Sequence, residues 1–314
     1  MNKNKRLFGR KTNRYFDYRI GAYSERRSLW STIFLPTLVL LILSSIGTAG
    51  YVYYQKNKVI LSTETTPAQA IELPLLTQEQ IDQKSLQAKE DTSLVRTIQK
   101  EIDQMPDGSE WEVSLRDLKS GRMANVNSDT SIQAASLYKL FLLAPLEKKI
   151  NADNWKSVIG KTSINDCVMA MIKLSDNDCP QSLANYINWK NIDPYNQTLG
   201  FKQTKINSKD GQTTTAREVS EMMYRLQNSQ ILSDKARRLV FDALYEQTFR
   251  SGIPAGCGAD CLVGNKTGDL DGYRHDAAVV THGSSKYVLV IMTKDATWTQ
   301  IADLSATIDR EMLP

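Results

Sequence analysis

Residues 33–52 contain no charged side chain, and this run divides the chain before any fold is considered. About 20 apolar residues at 1.5 Å rise each are enough to span a hydrocarbon core of roughly 30 Å. Trp30 stands at one end and Tyr51, Tyr53 and Tyr54 at the other, where amphipathic rings prefer the interface. Pro36 and Gly47 are tolerable inside a membrane helix. We therefore expect one transmembrane anchor over residues 29–54. Residues 1–28 hold nine Lys/Arg against two Asp/Glu, and such a basic flank stays in the cytoplasm. The expected organisation is a basic cytoplasmic tail (1–28), the anchor (29–54), a stalk (55–83) and an extracytoplasmic domain (84–314), held single-pass in a bacterial-type cell membrane. The competing reading is a signal peptide cleaved near Gly47-Thr48-Ala49. The long apolar run and its basic lead favour an uncleaved anchor, and either reading exports the rest of the chain.

Beyond residue 28 the chain carries 30 basic and 33 acidic side chains, so the net charge of +4 belongs to the tail. No nucleic-acid partner is expected for the main body. With 41% hydrophobic and 24% charged residues, a mostly disordered chain and a polytopic membrane protein are both excluded. Residues 55–83 show no sustained period and read as a stalk. The remainder is long enough for one sizeable core.

Within that remainder, apolar periodicity predicts helices over 85–105, 136–150, 164–174, 178–187, 216–227, 233–246 and 297–312. Strands are predicted over 111–118, 123–127, 262–266, 277–282 and 287–293. Strands at both ends with helices between them imply an α+β fold: one antiparallel sheet flanked by helices, plus a helical lobe. The four cysteines of an exported domain invite disulfides, and among three connectivities the local pairs Cys167–Cys179 and Cys257–Cys261 are preferred. Zinc is the rival reading, but Cys-x3-Cys is marginal spacing and His275 and His282 lie in a strand region. No metal or cofactor is expected.

Three short motifs carry chemistry. Ser136-Leu137-Tyr138-Lys139 is S-x-x-K at a helix start. A three-residue step puts both side chains on one face, where the amine can take the serine proton if burial or nearby positive charge depresses its pKa. Ser175-Asp176-Asn177 lies in a loop between two helices, where each of its residues is also a good N-cap. Lys266-Thr267-Gly268 ends a predicted strand, where a plain turn is the bland alternative. Each motif alone is weak; the three in this order are not.

The set resembles the signature of class A β-lactamases and penicillin-binding proteins. Flanking residues extend the likeness: Ile253-Pro254-Ala255-Gly256 and Val263-Gly264-Asn265 before the K-T-G, His275-Asp276-Ala277-Ala278-Val279-Val280 after it, and Thr213-Thr214-Thr215-Ala216-Arg217. The resemblance covers roughly residues 85–314 and implies a β-lactamase-like fold. It also implies roles. Ser136 is the nucleophile, Lys139 its proton acceptor, and Ser175 the shuttle to the leaving nitrogen. Asn177 holds a substrate amide. Lys266 and Thr267 receive the substrate carboxylate. Gly268 and Asp269 join Asn177 and Thr267 in binding the substrate, and the N–H groups of Ser136 and Asp269 form an oxyanion hole, where one donor is worth about 3–4 kcal/mol.

One departure matters. Class A enzymes activate the deacylating water with a Glu on a loop after the S-D-N helix. The corresponding residues 200–212 contain no Glu, and their one carboxylate, Asp210, belongs by position to the next helix entry. General-base catalysis typically contributes about 10²–10⁴-fold, so acylation is expected to outrun deacylation. The leading expectation is a monomeric serine hydrolase that opens β-lactam amides. A DD-peptidase or amidase acting on cell-wall peptides, and a sensor that stays acylated, are the alternatives.

Overall fold

A computed structural model describes residues 90–106, 108–150 and 154–313. The expected tail, anchor and stalk lie outside these residues. Among the described residues no helix is long and apolar enough to cross a membrane.

The first element is helix α1 (Thr92–Asp103), capped by the Asp91 carboxylate, which accepts from the Ser93 and Leu94 N–H groups. Strands β1 (Glu110–Asp117) and β2 (Met123–Val126) form a hairpin whose turn is closed by Asp117 Oδ1, accepting from Lys119 N at 2.8 Å. After β3 (Ile132–Gln133) comes a 3₁₀ helix, Ala135–Leu142, that passes directly into α2 (Leu143–Ile150). A small hairpin, β4 (Val158–Ile159) and β5 (Thr162–Ser163), leads to α3 (Ile164–Lys173), α4 (Asp178–Ile187) and α5 (Trp189–Thr198). Strand β6 (Thr213–Thr214) pairs with β3 and precedes α6 (Ala216–Gln227), α7 (Asp234–Tyr245) and the single turn α8 (Ile253–Gly256). The chain closes with β7 (Cys261–Leu270), β8 (Tyr273–His282), β9 (Ser285–Lys294) and α9 (Trp298–Met312).

The main sheet is five-stranded and antiparallel, in the order β2-β1-β9-β8-β7. Successive side chains on a strand point to opposite faces, and here both faces are covered. On β9, Tyr287, Leu289 and Ile291 pack with α1 and α9 through Leu94, Ile98, Ile301, Leu304 and Ile308. Val288, Val290 and Met292 face the helical lobe and its Leu140, Val219 and Met222. This double burial is why 287–292 reads as an unbroken apolar run rather than an alternation. Each such aliphatic side chain contributes on the order of 1.5–3 kcal/mol by leaving water.

The expected α+β architecture is therefore present, with the two disulfides Cys167–Cys179 and Cys257–Cys261. The short strands β3 to β6 and the turn α8 were not foreseen, β8 begins at Tyr273 rather than at 277, and three further elements differ from expectation. The helix expected over 136–150 begins as a 3₁₀ helix. Helix α5 was not foreseen, because its polar sequence and internal Pro194 give no apolar stripe. Strand β7 runs through Lys266-Thr267-Gly268 to Leu270, so the K-T-G is strand and not turn.

Candidate active site

Ala135 adopts φ +44°, a left-handed conformation that L-residues avoid. Strain of this kind persists only where the surroundings over-determine it, and here they do. Its neighbour Ala134 donates from its N–H to Gln212 O at 2.8 Å. The imidazole of His275 on β8 lies 2.7 Å, through Nε2, from Gln133 O, while its Nδ1 accepts from Thr293 N at 3.1 Å. Those two partners fix the tautomer with the proton on Nε2. Burial pushes the His275 pKa down to about 4, so the ring holds this backbone as a neutral donor.

Past Ala135 the 3₁₀ helix sets the spacing of the first motif. With three residues per turn, side chains at i and i+3 eclipse, so Ser136 and Lys139 stack on one face. Ser136 stays partly exposed while Lys139 is fully buried. The Lys139 Nζ donates to Ser175 O at 2.6 Å, Asp176 O at 2.8 Å and Asn177 Oδ1 at 2.9 Å, and lies 3.4 Å from Ser175 Oγ. The amine is thus tied to the S-D-N turn rather than to Ser136 Oγ. Burial lowers its pKa to about 8, against the opposing pull of the Asp176 carboxylate.

The S-D-N turn is itself held from three directions. Ser175 takes φ +56°. Asp176 Oδ1 caps α4, accepting from Asp178 N at 3.0 Å and Cys179 N at 2.7 Å. The Cys167–Cys179 disulfide ties α3 to α4 on either side of the turn. The expected capping role therefore falls to Asp176, which leaves Ser175 and Asn177 free to face the cavity.

The third motif approaches along β7. Lys266 is fully buried and its Nζ donates to Ser175 Oγ at 2.8 Å and to Thr267 O at 2.7 Å. Burial, reinforced by the charge of Lys139, holds its pKa well below the usual lysine value, with Asp276 acting the other way. One hydroxyl therefore lies within reach of two buried amines of depressed basicity. A Cβ on Gly268 would sit 3.0 Å from Ala135 Cβ and 3.2 Å from Ser136 N, so β7 passes directly against the Ser136 backbone.

These residues border a cavity of about 350 Å³, into which Ser136, Ser175, Asn177, Thr267 and Asp269 project. Lys139 and Lys266 lie beneath it and Gly268 supports its wall. The three sequence motifs thus meet at one place. Sequence reasoning did not identify the remaining walls, Leu174, Phe249, Ser251 and Trp298. Leu174 and Phe249 are each 53% exposed. A large apolar residue in a polar loop is their only signal in the sequence. Nor did it foresee the buried Asp276, whose carboxylate accepts from Asn265 Nδ2 and Ile253 N, both at 2.9 Å.

The residues between Leu199 and Gln212 bring no carboxylate to this cavity. Asp210 is exposed and outside it. Two helix acids are instead committed to the loop's backbone: Glu218 accepts from Gln203 N and Thr204 N, and Asp193 from Ile206 N and Asn207 N. Arg274 is likewise engaged, donating to Ala296 O at 2.7 Å.

Among solved structures, the chain is similar to PBP-A, with 21% identity, a TM-score of 0.63, and coverage of 71% of this chain and 97% of that one. It is equally similar to a leucine-to-glutamate mutant of PBP-A in an acyl-enzyme complex with penicillin G, at 22% identity and TM-score 0.64 over 71% of this chain and 97% of that one. The β-lactamase of Streptomyces albus G matches at 18% identity and TM-score 0.63, over 71% of this chain and all of that one (100%). At these identities the likeness speaks to fold. No curated protein sequence matches the chain. A family model described as the beta-lactamase enzyme family spans residues 93–311, more than two thirds of the sequence, and on that match the chain belongs to the beta-lactamase enzyme family.

Proposed function

We propose that the domain is a serine hydrolase of the β-lactamase type, which opens the amide of a β-lactam through an acyl-enzyme at Ser136. The observation that carries this is the Ser175 hydroxyl, 2.8 Å from Lys266 Nζ and 3.4 Å from Lys139 Nζ. A serine hydroxyl is a weak nucleophile until a neighbouring base removes its proton. Lys139, with a pKa of about 8, is neutral in about a tenth of molecules at pH 7. In that state it accepts the Ser136 proton as Oγ bonds to the lactam carbonyl carbon. The N–H groups of Ser136 and Asp269 receive the developing oxyanion. As the carbonyl carbon–nitrogen bond breaks, Ser175 delivers a proton to the nitrogen and is resupplied by a buried ammonium. Asn177 and Thr267 orient the substrate, and the buried positive charge below favours one that bears a carboxylate.

Deacylation is the weak step in this scheme. The helix acids Glu218 and Asp193 are engaged with the loop's backbone, and Lys139 is bonded to carbonyl, hydroxyl and amide oxygens. This favours a second reading: a DD-peptidase or amidase acting on cell-wall peptides, in keeping with the likeness to PBP-A. In either case we propose that residues 29–54 hold the domain outside the cell membrane as a monomer. The disulfides Cys167–Cys179 and Cys257–Cys261 support export, since such bonds persist in oxidising compartments.

The test is intact-mass spectrometry of the full-length protein in detergent, mixed with benzylpenicillin and sampled over time, beside Ser136→Ala. An adduct on the wild type that decays within minutes supports the β-lactamase reading. An adduct that persists, with release of terminal D-Ala from a muropeptide, supports the peptidase. Equal labelling of Ser136→Ala would remove Ser136 from the chemistry.

A further inference from the structure

At the far end of β7 from the cavity, four side chains capable of binding a metal converge. One sulfur each from Cys257 and Cys261, a ring nitrogen of His282 and a carboxylate oxygen of Asp309 all lie within 4.8 Å of one another. Among the described residues no other group of three or more such side chains is so arranged. The two sulfurs form a disulfide here. Tetrahedral ligands around zinc stand about 3.4–3.8 Å apart, given metal–ligand bonds of about 2.0–2.3 Å, so two sulfurs freed from their bond and the ring nitrogen lie within reach of one cation.

The group is built from three elements and not from a single loop. Cys261 opens β7 and His282 ends β8, where they are direct partners in the ladder. Asp309 comes from α9. His282 Nδ1 lies 2.7 Å from Asp309 Oδ2, and Asp309 Oδ1 accepts from the buried Tyr287 hydroxyl at 2.7 Å. With a carboxylate opposite, Nδ1 carries the ring proton and Nε2 presents a lone pair. The Cε1–Nε2 edge of the ring lies against the cysteine loop: a Cβ on Gly258, between the two cysteines, would lie 3.9 Å from Nε2 and 3.5 Å from Cε1. A metal-binding histidine characteristically donates its other nitrogen to a carboxylate, which fixes the ring and raises its basicity. A disulfide of sequence separation 4 needs no such pair beside it. It also restrains the unfolded chain less than the Cys167–Cys179 bond, of separation 12.

We propose that the Cys257–Cys261 disulfide and a zinc-type divalent cation are alternative occupants of one site. A dithiol reductant supplies two electrons, the S–S bond breaks, and the reductant leaves as its own disulfide. The cation then binds both sulfurs as thiolates, and their two protons pass to water. His282 Nε2 is the third ligand, water fills the fourth position, and Asp309 orients the imidazole from outside. Such a cation joins the start of β7 to β8 and α9, and so fastens the strand that carries Lys266.

The test uses the full-length protein in detergent, reduced with a phosphine, desalted without oxygen and titrated with Co²⁺ and then Zn²⁺. The expected result is one equivalent bound, with thiolate-to-cobalt charge transfer and tetrahedral d–d bands that Zn²⁺ abolishes. The Cys257→Ser/Cys261→Ser protein should show neither band, while Cys167→Ser/Cys179→Ser should show both. His282→Gln, at a partly exposed position, should weaken Zn²⁺ at least tenfold against a chelator. Asp309→Asn should weaken it about 10–100-fold. Absence of the bands in the reduced wild type, or a His282→Gln affinity within threefold of wild type, overturns the proposal.

Discussion

Gly268 leaves little room for a side chain, and the atoms it would crowd include those of the Ala135–Ser136 turn. A Cβ there would press on Ala135, on the Ser136 amide nitrogen, and at 3.3 Å on His275 Cδ2. Misplacement of a reacting group by about 1 Å can cost on the order of 10²-fold in rate. Gly268→Ala is therefore expected to slow acylation by about 10–100-fold while the thermal midpoint moves only slightly; a stopped-flow acylation rate beside a melting curve checks both. Lys139 gives a second prediction at this scale. Its neutral fraction grows with pH up to the pKa of about 8, so the acylation rate should climb through pH 6–8 and then level. In Lys139→Arg the guanidinium stays charged. That variant should lose about 10²–10⁴-fold and, in the residual rate, the rise with pH. A pH-independent wild-type rate would exclude Lys139 as the base.

The elements explain how the motifs come to meet. Helices α3 and α4 present the S-D-N turn only because their ends are tied by Cys167–Cys179 and by the Asp176 cap. Closing a loop of this length is worth about 3 kcal/mol. Cys167→Ala/Cys179→Ala should lower the unfolding free energy by about that amount in urea, and should also reduce acylation, because Ser175 loses its fixed backbone. A loss of stability with an unchanged acylation rate would mean that the cap alone holds the turn. The same elements mark how far the sequence could be read. Apolar periodicity located α3, α4, α6 and β1 because each has apolar residues on a regular face, and β9 was legible as an unbroken apolar run. The motifs were visible as tripeptides. Their backbone was not: left-handed φ at Ala135 and Ser175 is imposed by His275, Gln212 and the disulfide, which are distant in sequence. The 3₁₀ form of Ala135–Leu142 hides in a pattern that suits an α-helix equally well. Leu174, Phe249 and Trp298 became cavity walls only through tertiary placement, and His282 met the cysteines only through the β7–β8 register.

Across the whole molecule, the sheet separates two cores, and adjacent residues of β8 reach into opposite ones. His275 points to Gln133, ahead of the Ala135–Ser136 turn, and Asp276 to Ile253 and α8. Both are buried, and their protonation opposes in its effect on folding. The folded pKa of His275 is depressed from 6.5 to about 4, so between those values the unfolded chain binds more protons and acid destabilises. The folded pKa of Asp276 is raised from 3.8 to about 7, so over that window the folded chain binds more protons and acid stabilises. At about 1.4 kcal/mol per pKa unit, the two arms are worth about 3 and about 4 kcal/mol and nearly cancel. Asp276→Asn removes one arm. Its stability at neutral pH will also change, because an amide cannot accept from both donors, but the pH slope is a separate readout. Relative to wild type, the variant should lose about 4 kcal/mol more on going from pH 7 to pH 4, while His275→Gln should diverge in the opposite sense. Denaturant midpoints taken across that range decide the matter, since every other titrating group is common to the three proteins. Parallel curves for wild type and Asp276→Asn would mean that Asp276 is ionised throughout, with Lys266 as its buried counter-charge.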